Sequence, residues 1–286
     1  MQINGSTKTL GVIGCPIEHT RSPIIHNELA KVFSHNVVYV PFHVPTNLGD
    51  AIQGAYALGI EGMNVTIPHK TEMMQYAIEI DEFASVIGAA NTLVRVEGGY
   101  KAYNTDIPGL KRAFDSDGVV VEGEEVIVLG AGGVSRAVCI LLAKYGAKRV
   151  YVLNRTIDKA LDIAKEVNRY AQKELVQVLK LEDYKELEGK TYLCIQATSV
   201  GMYPHVEDVL ISDDAFYDLV HTGYDLVYNP YETAFIKKLI GKQKRAFHGL
   251  KMLLYQGVIA YEYWYNIQID EKTSLKVYER LKEALE

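Results

Sequence analysis

Short apolar runs alternate with longer segments of helical periodicity along most of the chain, and this alternation predicts an α/β fold with parallel sheets. In the first part of the chain, strands are expected at residues 9–14, 37–43, 60–67, 93–96 and 100–103, the last two joined by the hairpin turn Glu97-Gly98-Gly99. Ser22 before Pro23 predicts a helix start with the serine as N-cap. Thr46 is expected to cap a second helix that runs to about residue 58.

The pattern changes near Asp106-Ile-Pro-Gly109, where a new series of strands and helices begins. Strands are predicted at residues 126–129, 149–153, 175–178, 192–196 and 224–227, and helices at 110–115, 134–145, 157–168 and 233–240. An apolar, aromatic-rich helix at 250–265 and a final helix at 273–285 follow. Because 286 residues are long for one domain, we predict two, with the second at about residues 107–245.

The composition is that of a globular protein that binds neither nucleic acid nor membrane. Hydrophobic residues make up 48% and charged residues 23% of the chain, and the formal net charge is −6. No basic tract appears, which argues against nucleic-acid binding. A basic pocket for an anionic cofactor is still compatible with this charge, because net charge does not describe local charge.

Targeting and metal signals are missing from the sequence. The segment from Met1 to Lys8 is polar and lacks a signal-peptide core. The sequence has no run of about eighteen apolar residues, the length needed to span a membrane. Cys15, Cys139 and Cys194 are far apart, so we interpret them as buried thiols in a reducing, cytoplasmic compartment. The eight histidines lack metal-ligand spacing, and no metal site is expected.

The stretch Asn64-Val-Thr-Ile-Pro-His-Lys70 is the first candidate for chemistry. An apolar run ends in two hydrogen-bonding side chains, Asn64 and Thr66, and a lysine follows shortly after. This set suits a small, oxygen-rich, anionic ligand, and a lysine near a cleft can act as an acid or base. The alternative is a solvated lysine at a helix start, with Pro68 in the first turn.

Residues 126–145 provide the strand, glycine turn and helix that a dinucleotide-binding fingerprint requires. Gly130 permits the tight turn, and Gly132 lets the backbone approach a pyrophosphate at the helix N-terminus. Ser135 replaces the third glycine of the pattern and is small enough for close packing. A glycine turn without a ligand is the alternative, but the context favours a nucleotide site.

The end of the next strand indicates which nucleotide binds. Asn154-Arg155-Thr156 stands 24 residues after Gly130, where an acidic residue would hold the ribose hydroxyls of NAD. Arg155, Thr156 and the nearby Lys159 instead offer two cations and a hydroxyl to a 2′-phosphate. We therefore predict NADP(H), the alternative being that both cations are solvated charges at a helix start.

Four other segments place polar side chains at the end of an apolar run. They are Thr20-Arg21-Ser22-Pro23, Ala90-Asn91-Thr92, Tyr103-Asn104-Thr105-Asp106 and Tyr255-Gln256. Each alone is most often a cap or a turn. Together they supply more polar groups than turns require, which favours a site for a polar ligand.

These motifs resemble those of the shikimate dehydrogenase family over nearly the whole chain. The resemblance is carried by Thr20-Arg-Ser-Pro23, Asn64-Val-Thr-Ile-Pro-x-Lys70, Ala90-Asn-Thr92, Asn104-Thr-Asp106, Gly130-Ala-Gly-Gly133, Asn154-Arg-Thr156, Ala197-Thr-Ser-x-Gly-Met202, Tyr228-Asn-Pro230 and Gly249-Leu-x-Met-Leu-x-x-Gln256. It implies the NADP-dependent, reversible reduction of 3-dehydroshikimate to shikimate, a step of chorismate and aromatic amino-acid biosynthesis. It also implies a substrate-binding domain at residues 1–106 plus 246–286, with a Rossmann-type, doubly wound parallel sheet at 107–245 inserted.

The resemblance also assigns roles to individual residues. Thr20 and Ser22 are expected to bind the substrate carboxylate, and Lys70 with Asp106 forms the catalytic pair, which also contacts the substrate. The residues expected around the ring and its hydroxyls are Asn64, Thr66, Asn91, Tyr228 and Gln256. Those expected to contact the cofactor are Gly130, Ala131, Gly132, Gly133, Val134, Asn154, Arg155, Thr156, Lys159, Thr198, Leu226 and Gly249.

The residue types of the expected catalytic pair suit this reaction. Hydride goes from the nicotinamide to a ring ketone, and the developing alkoxide needs a proton. Lys70 as an ammonium can donate that proton, while Asp106 keeps the lysine charged and positioned or shares the proton. Asp106 is also a candidate N-cap, a role compatible with catalysis.

Three positions depart from the family pattern. Thr20 stands where the family usually has serine, and its added methyl could favour quinate or tighten the pocket. Leu226 replaces a methionine of some members at almost constant volume. Lys251 replaces a frequent glycine and is expected to touch either the cofactor or solvent.

Two other functions therefore stay open beside the leading one. The first is a dual-specificity quinate/shikimate dehydrogenase. The second is a non-catalytic metabolite-sensing module, in which Lys70 or Asp106 would be expected to be lost. The resemblance allows a monomer or a homodimer.

Overall fold

The computed structural model describes residues 3–187 and 189–285, and the chain forms two compact units. The first unit comprises Met1–Ala113 and Met252–Glu286, and the second comprises Phe114–Lys251. The predicted domain boundaries, after residues 106 and 245, lie a few residues earlier in the chain. Of the Met1–Lys8 segment, the first two residues lie outside the described ranges.

The first unit contains one six-stranded sheet and the helices around it. Its strands are β1 (Lys8–Gly14), β2 (Val37–His43), β3 (Gly62–Val65), β4 (Glu79–Ile80), β5 (Thr92–Val96) and β6 (Gly99–Tyr103). Its helices are α1 (Ser22–Val32), α2 (Leu48–Ala57), α3 (Glu82–Ile87) and most of α4 (Asp106–Ser116), and a 3₁₀ helix spans Glu72–Tyr76. After the second unit the chain adds most of α9 (Leu250–Tyr265) and all of α10 (Glu271–Glu283).

The sheet of the first unit is mixed, with the strand order β2-β1-β3-β5-β6-β4. β1 lies parallel to both β2 and β3, as the sequence predicted, whereas β5 lies antiparallel to β3 and β6. The predicted hairpin explains the antiparallel pairing of β5 with β6. The connection at Glu97 and Gly98 is too short to join parallel strands, which need a long crossover.

Helix α9 covers one part of this sheet with aromatic side chains. Trp264 lies over Gly62 of β3, where a Cβ atom would come within 2.1 Å of the indole, and its Nε1 donates to the Leu93 carbonyl oxygen at 2.9 Å. His26 of α1 is stacked on Tyr39 of β2 at 4.2 Å, and its ring centroid lies 4.9 Å from that of Trp264. Burial lowers the pKa of His26 to about 3, so the ring packs as a neutral aromatic.

The second unit has the predicted doubly wound parallel sheet. Its strands are β7 (Glu125–Leu129), β8 (Arg149–Leu153), β9 (Val176–Leu179), β10 (Tyr192–Gln196), β11 (Val220–Asp225) and β12 (Arg245–His248). Its helices are α5 (Gly133–Lys144), α6 (Ile157–Ala171), α7 (Asp214–Asp218) and α8 (Ala234–Gly241), with a 3₁₀ helix at Leu181–Leu187. The order is β12-β11-β10-β7-β8-β9, so the winding direction reverses between β7 and β10, where such sheets bind ligands.

Several predicted details of these elements are wrong. Ser22 is the first residue of α1 rather than its N-cap, which is Arg21, and Asn47 rather than Thr46 precedes α2. Neither Arg21 nor Asn47 makes a side-chain capping hydrogen bond. These two helix starts therefore lack the interaction on which the prediction of their caps was based. Cys139 and Cys194 are buried as expected, but Cys15 is partly exposed, with its Sγ 3.2 Å from His43 Nε2.

Candidate active site

Lys70 and Asp106 form a direct ion pair within the first unit. The Nζ atom of Lys70 donates to Asp106 Oδ2 at 2.8 Å, and the two side chains are 32% and 18% exposed. The Lys70 backbone oxygen accepts from the Ala90 N–H at 2.8 Å, which ties the segment after β3 to the segment before β5. The structure thus joins two residues that are 36 positions apart in the sequence.

Two asparagines hold Asp106 in place. Asn91 Nδ2 donates to Asp106 Oδ1 at 2.9 Å, so both oxygens of the carboxylate have a partner. Asn104 Oδ1 accepts the backbone N–H groups of Asp106 and Ile107 at 3.0 and 3.4 Å. Asp106 is the first residue of α4, and Asn104 accepts hydrogen bonds from the otherwise unpaired N–H groups at the helix start. The Asp106 carboxylate therefore binds Lys70 and Asn91.

Asn64 is connected to this pair by buried hydrogen bonds. Its Nδ2 donates to Thr92 Oγ1 at 3.0 Å and to the Asn91 carbonyl oxygen at 3.3 Å, and its Oδ1 accepts from Tyr39 OH at 2.7 Å. Both amide protons of Asn64 are thus engaged, and an amide oxygen can accept one further bond. Tyr39 was not predicted, because nothing in the sequence near β2 indicates a partner 25 residues away.

The predicted substrate residues Thr20, Ser22 and Thr66 also lie in the first unit. Thr20 Oγ1 donates to Ser22 Oγ at 3.3 Å and accepts from the Ser22 N–H at 3.4 Å, so the two hydroxyls are adjacent. Thr66 is half-buried, and a Cβ atom on Gly14 would come within 2.5 Å of its methyl group.

Gln256 lies on α9, and its Nε2 donates to the Leu253 carbonyl oxygen at 2.8 Å. Gly109 of α4 allows this helix to approach closely, since a Cβ atom there would come within 2.7 Å of the Gln256 nitrogen. Tyr228 is the one predicted substrate residue outside the first unit; it is half-buried in the loop after β11.

The glycine turn lies between β7 and α5, as predicted. Gly130 has φ +106°, a value that favours glycine, and a Cβ atom there would come within 2.3 Å of Thr198 Cγ2. Cβ atoms at Gly132 and Gly133 would meet nothing within 4 Å, so the start of α5 is open to a ligand. Ser135 is fully buried; its Oγ accepts from Gly132 N–H at 3.2 Å and donates to the Ala197 carbonyl oxygen at 3.3 Å.

Ser135 therefore does more than fit where a glycine was expected: it ties the turn to the end of β10. The neighbouring Ala131 is half-exposed, and the Val134 side chain is exposed at the first turn of α5. These two residues complete the predicted contact set at the turn.

The predicted phosphate-binding cations lie after β8. Asn154 Nδ2 donates to the Thr156 carbonyl oxygen at 2.8 Å, which closes the turn into α6. Arg155, Thr156 and Lys159 are exposed, as is Asp158, an acid in the first turn of α6. Within residues 3–187 and 189–285, neither Arg155 nor Lys159 makes an ion pair, so both cations are available to an anion.

Gln196 supports the predicted nucleotide site of the second unit, and it was not among the residues predicted from the sequence. It ends β10, is 2% exposed, and its Oε1 accepts from Thr198 N–H and Oγ1 at 2.8 and 2.6 Å. Its Nε2 donates to the Val200 carbonyl oxygen at 2.9 Å. Gln196 thereby fixes Thr198, the residue that closes over Gly130. The sequence feature that could have identified Gln196 is its position as a polar residue at the end of an apolar run.

Leu226 and Gly249, which were both predicted to contact the cofactor, are adjacent. A Cβ atom on Gly249 would come within 2.2 Å of the Leu226 carbonyl oxygen, and Gly249 N–H donates to the Val227 carbonyl oxygen at 3.1 Å. Lys251, which was expected to touch the cofactor or solvent, is hydrogen-bonded to two neighbouring side chains. Its Nζ donates to Asp117 Oδ1 at 2.5 Å and to Ser116 Oγ at 3.0 Å.

The described residues contain neither a candidate metal centre nor a candidate membrane-spanning helix. No group of three or more His, Cys, Asp and Glu side chains among them could hold a metal ion. None of the helices in these ranges is long and apolar enough to cross a membrane.

Comparisons with known proteins agree with the resemblance seen in the sequence. Residues 12–93 match the family model described as the shikimate dehydrogenase substrate binding domain, and residues 112–205 match the model described as shikimate / quinate 5-dehydrogenase. A shikimate dehydrogenase (NADP(+)) of Methanocaldococcus jannaschii is 41% identical over 270 residues, which cover 93% of this chain and 94% of that protein. One of Carboxydothermus hydrogenoformans is 38% identical and covers 96% and 98%.

Solved structures show the same similarity. A crystal structure of a shikimate dehydrogenase in complex with NADP+ superposes with a TM-score of 0.90 at 37% identity, over 100% of this chain and 98% of that one. The shikimate 5-dehydrogenase of Listeria monocytogenes in complex with shikimate and NAD gives a TM-score of 0.88 at 29% identity, over 100% and 99%. By its sequence and its fold, this chain belongs to the shikimate dehydrogenase family.

Proposed function

We propose that this chain catalyses the reversible, NADP-dependent reduction of 3-dehydroshikimate to shikimate. The observation that carries the proposal is the Lys70–Asp106 pair at 2.8 Å, joined through Asn91 to a buried polar network in a member of this family. A metabolite-sensing module would have no need of this partly exposed acid–base pair.

The residues of the second unit fit NADP(H). The open N-terminus of α5 after Gly132 offers N–H groups to a pyrophosphate, and exposed Arg155 and Lys159 suit a 2′-phosphate. When bound, the reduced cofactor supplies the hydride for the ring ketone. Leu226 and Gly249, which are in contact, are proposed to touch it as well.

Lys70 is proposed to act as the proton donor. Its ammonium polarises the ketone of the substrate and transfers a proton to the oxygen as negative charge develops there. Asp106, whose other oxygen is held by Asn91, holds the ammonium in a single orientation. In the direction of shikimate oxidation the same nitrogen removes the hydroxyl proton.

The other polar side chains are proposed to bind and orient the substrate. The adjacent hydroxyls of Thr20 and Ser22 can both donate to one carboxylate. Asn64 keeps one acceptor position on Oδ1 for a ring hydroxyl, because its two amide protons are already engaged. Thr66, Asn91, Gln256 and Tyr228 remain the proposed further contacts.

The Thr20 methyl group keeps quinate as a second candidate substrate. Quinate carries one more hydroxyl on the carbon that bears the carboxylate. Thr20, where the family usually has serine, stands beside that carboxylate in the proposed binding mode. Whether the methyl group admits or excludes the additional hydroxyl decides between a shikimate dehydrogenase and an enzyme of dual specificity.

A matched panel of substrates and cofactors tests these proposals. We expect kcat/KM to be highest for shikimate with NADP+, and Arg155→Ala to lower that value by about tenfold while leaving the NAD+ value unchanged. Lys165→Ala, which removes an exposed cation further along α6, serves as the control. Equal or better use of NAD+ would refute the cofactor proposal.

The remaining outcomes of the panel separate the candidate functions. Oxidation of quinate at a rate comparable to shikimate would establish dual specificity. Failure to oxidise either acid with either cofactor would favour the sensing module.

We also propose a cytoplasmic location, without nucleic-acid or membrane partners, as a monomer or a homodimer. Cys139 and Cys194 are free and buried, which suits a reducing compartment. Light scattering coupled to size-exclusion chromatography distinguishes the two assembly states.

A further inference from the structure

Asp225, the last residue of β11, has a fully buried carboxylate with two hydrogen-bond donors. Its Oδ1 accepts from the Val227 N–H at 2.9 Å, and its Oδ2 accepts from Thr233 Oγ1 at 2.5 Å. Among the residues that the structure describes, no cation forms an ion pair with Asp225. A buried carboxylate without a cation is costly, so its presence needs a reason.

The groups beside Asp225 are a thiol, an amide and an imidazole. On β10 the neighbours are Cys194 and Gln196, the latter in register with Asp225. On β12 the register partner is His248, whose Nδ1 accepts from the Leu250 N–H at 3.3 Å and whose ring lies 3.9 Å from that of Tyr231. Burial raises the pKa of Asp225 to about 6, against the opposing effect of the two hydrogen bonds.

The two donors to Asp225 lie near opposite ends of one loop, residues 226–233. Val227 is near its beginning, and the Val227 carbonyl oxygen accepts from Gly249 N–H at 3.1 Å. Thr233 is at its end, where its Oγ1 also accepts from the Ile236 N–H at 3.3 Å as the N-cap of α8. One carboxylate therefore fixes both ends of the loop that contains Leu226 and Tyr228.

We propose that Asp225 is a positioning residue of the reaction: its carboxylate closes the loop at residues 226–233 and so holds Leu226 and Tyr228 in their binding conformation. The proposal deepens the proposed function and rests on it. The negative charge of Asp225 matters, because Thr233 Oγ1 accepts from Ile236 and must donate its own proton elsewhere. A carboxylate oxygen accepts this hydrogen bond from the Thr233 hydroxyl, whereas an amide NH₂ group cannot accept it.

Asp225→Asn is the most conservative test. The amide oxygen can still accept from Val227 N–H, but the bond from Thr233 is lost. Because hydrogen bonds to charged groups contribute about 1.5–3 kcal/mol, we expect kcat/KM for shikimate to fall by about tenfold to about a hundredfold. NADPH affinity, measured by fluorescence, should fall by several-fold through Leu226. Asp213→Asn, at the N-cap of α7, is the control and should change neither value.

The pH profile distinguishes positioning from a merely structural role. In the wild type, kcat/KM should fall as pH decreases through the pKa of Asp225, and this acid limb should be missing in Asp225→Asn. Thr233→Val removes a hydrogen bond that lowers this pKa, so the limb should move to higher pH. A wild-type kcat/KM in Asp225→Asn, or an acid limb that neither variant moves, would overturn the proposal.

The NADPH measurement keeps this test separate from that of the proposed function. If the wild type oxidises no shikimate, the proposed function fails on its own. An unchanged NADPH affinity in folded Asp225→Asn would then overturn the role of Asp225, and a weakened one would support it. If Asp225→Asn does not fold, as judged by circular dichroism, Thr233→Val provides the same two measurements.

Discussion

Asp106 has each of its two carboxylate oxygens assigned to a different partner. Oδ2 accepts from Lys70 and Oδ1 from Asn91, so the carboxylate cannot rotate without breaking a bond. The ammonium of Lys70 is thereby held on one side, with 32% of its side chain still exposed. Partial exposure is what a proton donor needs, since a fully buried lysine could not reach a substrate.

Replacing Lys70 by alanine tests its proposed role directly. Because loss of a general acid typically slows a reaction by about 10²–10⁴, we expect kcat to fall by this factor in Lys70→Ala. The Kd for NADPH should barely change, since Lys70 belongs to the first unit. Steady-state kinetics and fluorescence titration measure the two quantities. Lys101→Ala, which removes a lysine paired with Glu79 at 3.2 Å, is the control, and a near-wild-type kcat in Lys70→Ala would refute the role.

At the scale of elements, the turn between β7 and α5 depends on Gly130 for two reasons. Its φ of +106° is strained for other residues, and Thr198, which a Cβ atom would strike, is held by Gln196 and cannot move aside. We expect Gly130→Ala to lower the unfolding free energy by about 1–2 kcal/mol for the backbone and about 1–3 kcal/mol for the clash. NADPH binding should weaken as well, because the turn precedes the open end of α5.

Gly123→Ala is the matched control for Gly130→Ala. Gly123 also has a positive φ, +77°, but a Cβ atom there would meet nothing within 4 Å. Chemical denaturation of the two variants separates the cost of the backbone from that of the clash. Equal losses of stability would show that contact with Thr198 contributes nothing.

Elements with a clear apolar pattern could be predicted from the sequence, and β12, which is short and has none, could not. The strands Val37–His43, Arg149–Leu153 and Tyr192–Gln196 and the helix Leu250–Tyr265 have their predicted bounds. β12 was missed, because Arg245–His248 contains a charged and a polar residue in only four positions. A strand this short is specified by its pairing with β11, which pattern alone does not show.

The same difference applies to the candidate site. Asn64, Asn91 and Asp106 were predicted as candidates because each follows or ends an apolar run. Their mutual contacts, and the role of Tyr39 behind Asn64, depend on hydrogen bonds between segments that are distant in sequence. The residues that hold a site are harder to predict than those that form it, because their partners appear only after folding.

At the scale of the whole molecule, Glu125 links three strands of the second unit. Lys148 and Lys190, which precede β8 and β10, donate to Glu125 of β7 at 2.8 and 3.1 Å. These hydrogen bonds lower the pKa of Glu125 to about 2. A lowered carboxyl pKa adds stability that is fully present above the unfolded value of 4.5 and is lost as pH falls toward 2.

Glu125→Gln should therefore destabilise the protein in a pH-dependent way. We expect a loss of about 1 kcal/mol at pH 7, since both lysines are largely exposed. The difference from the wild type should shrink as pH falls below 4.5. Denaturation at a series of pH values measures it, with Glu207→Gln in an exposed loop as control. A difference that stays constant across this range would contradict the assignment.

The position of Trp264 has a consequence for synthesis on the ribosome. Gly62 and Leu93 are made early, but the indole that covers them comes after all 138 residues of Phe114–Lys251 have been added. His26 and Tyr39 likewise gain their contact with Trp264 only after α9 has been synthesised. The inserted unit is complete in the nascent chain before its host can close, so the part of the protein that emerges first is the last to finish folding.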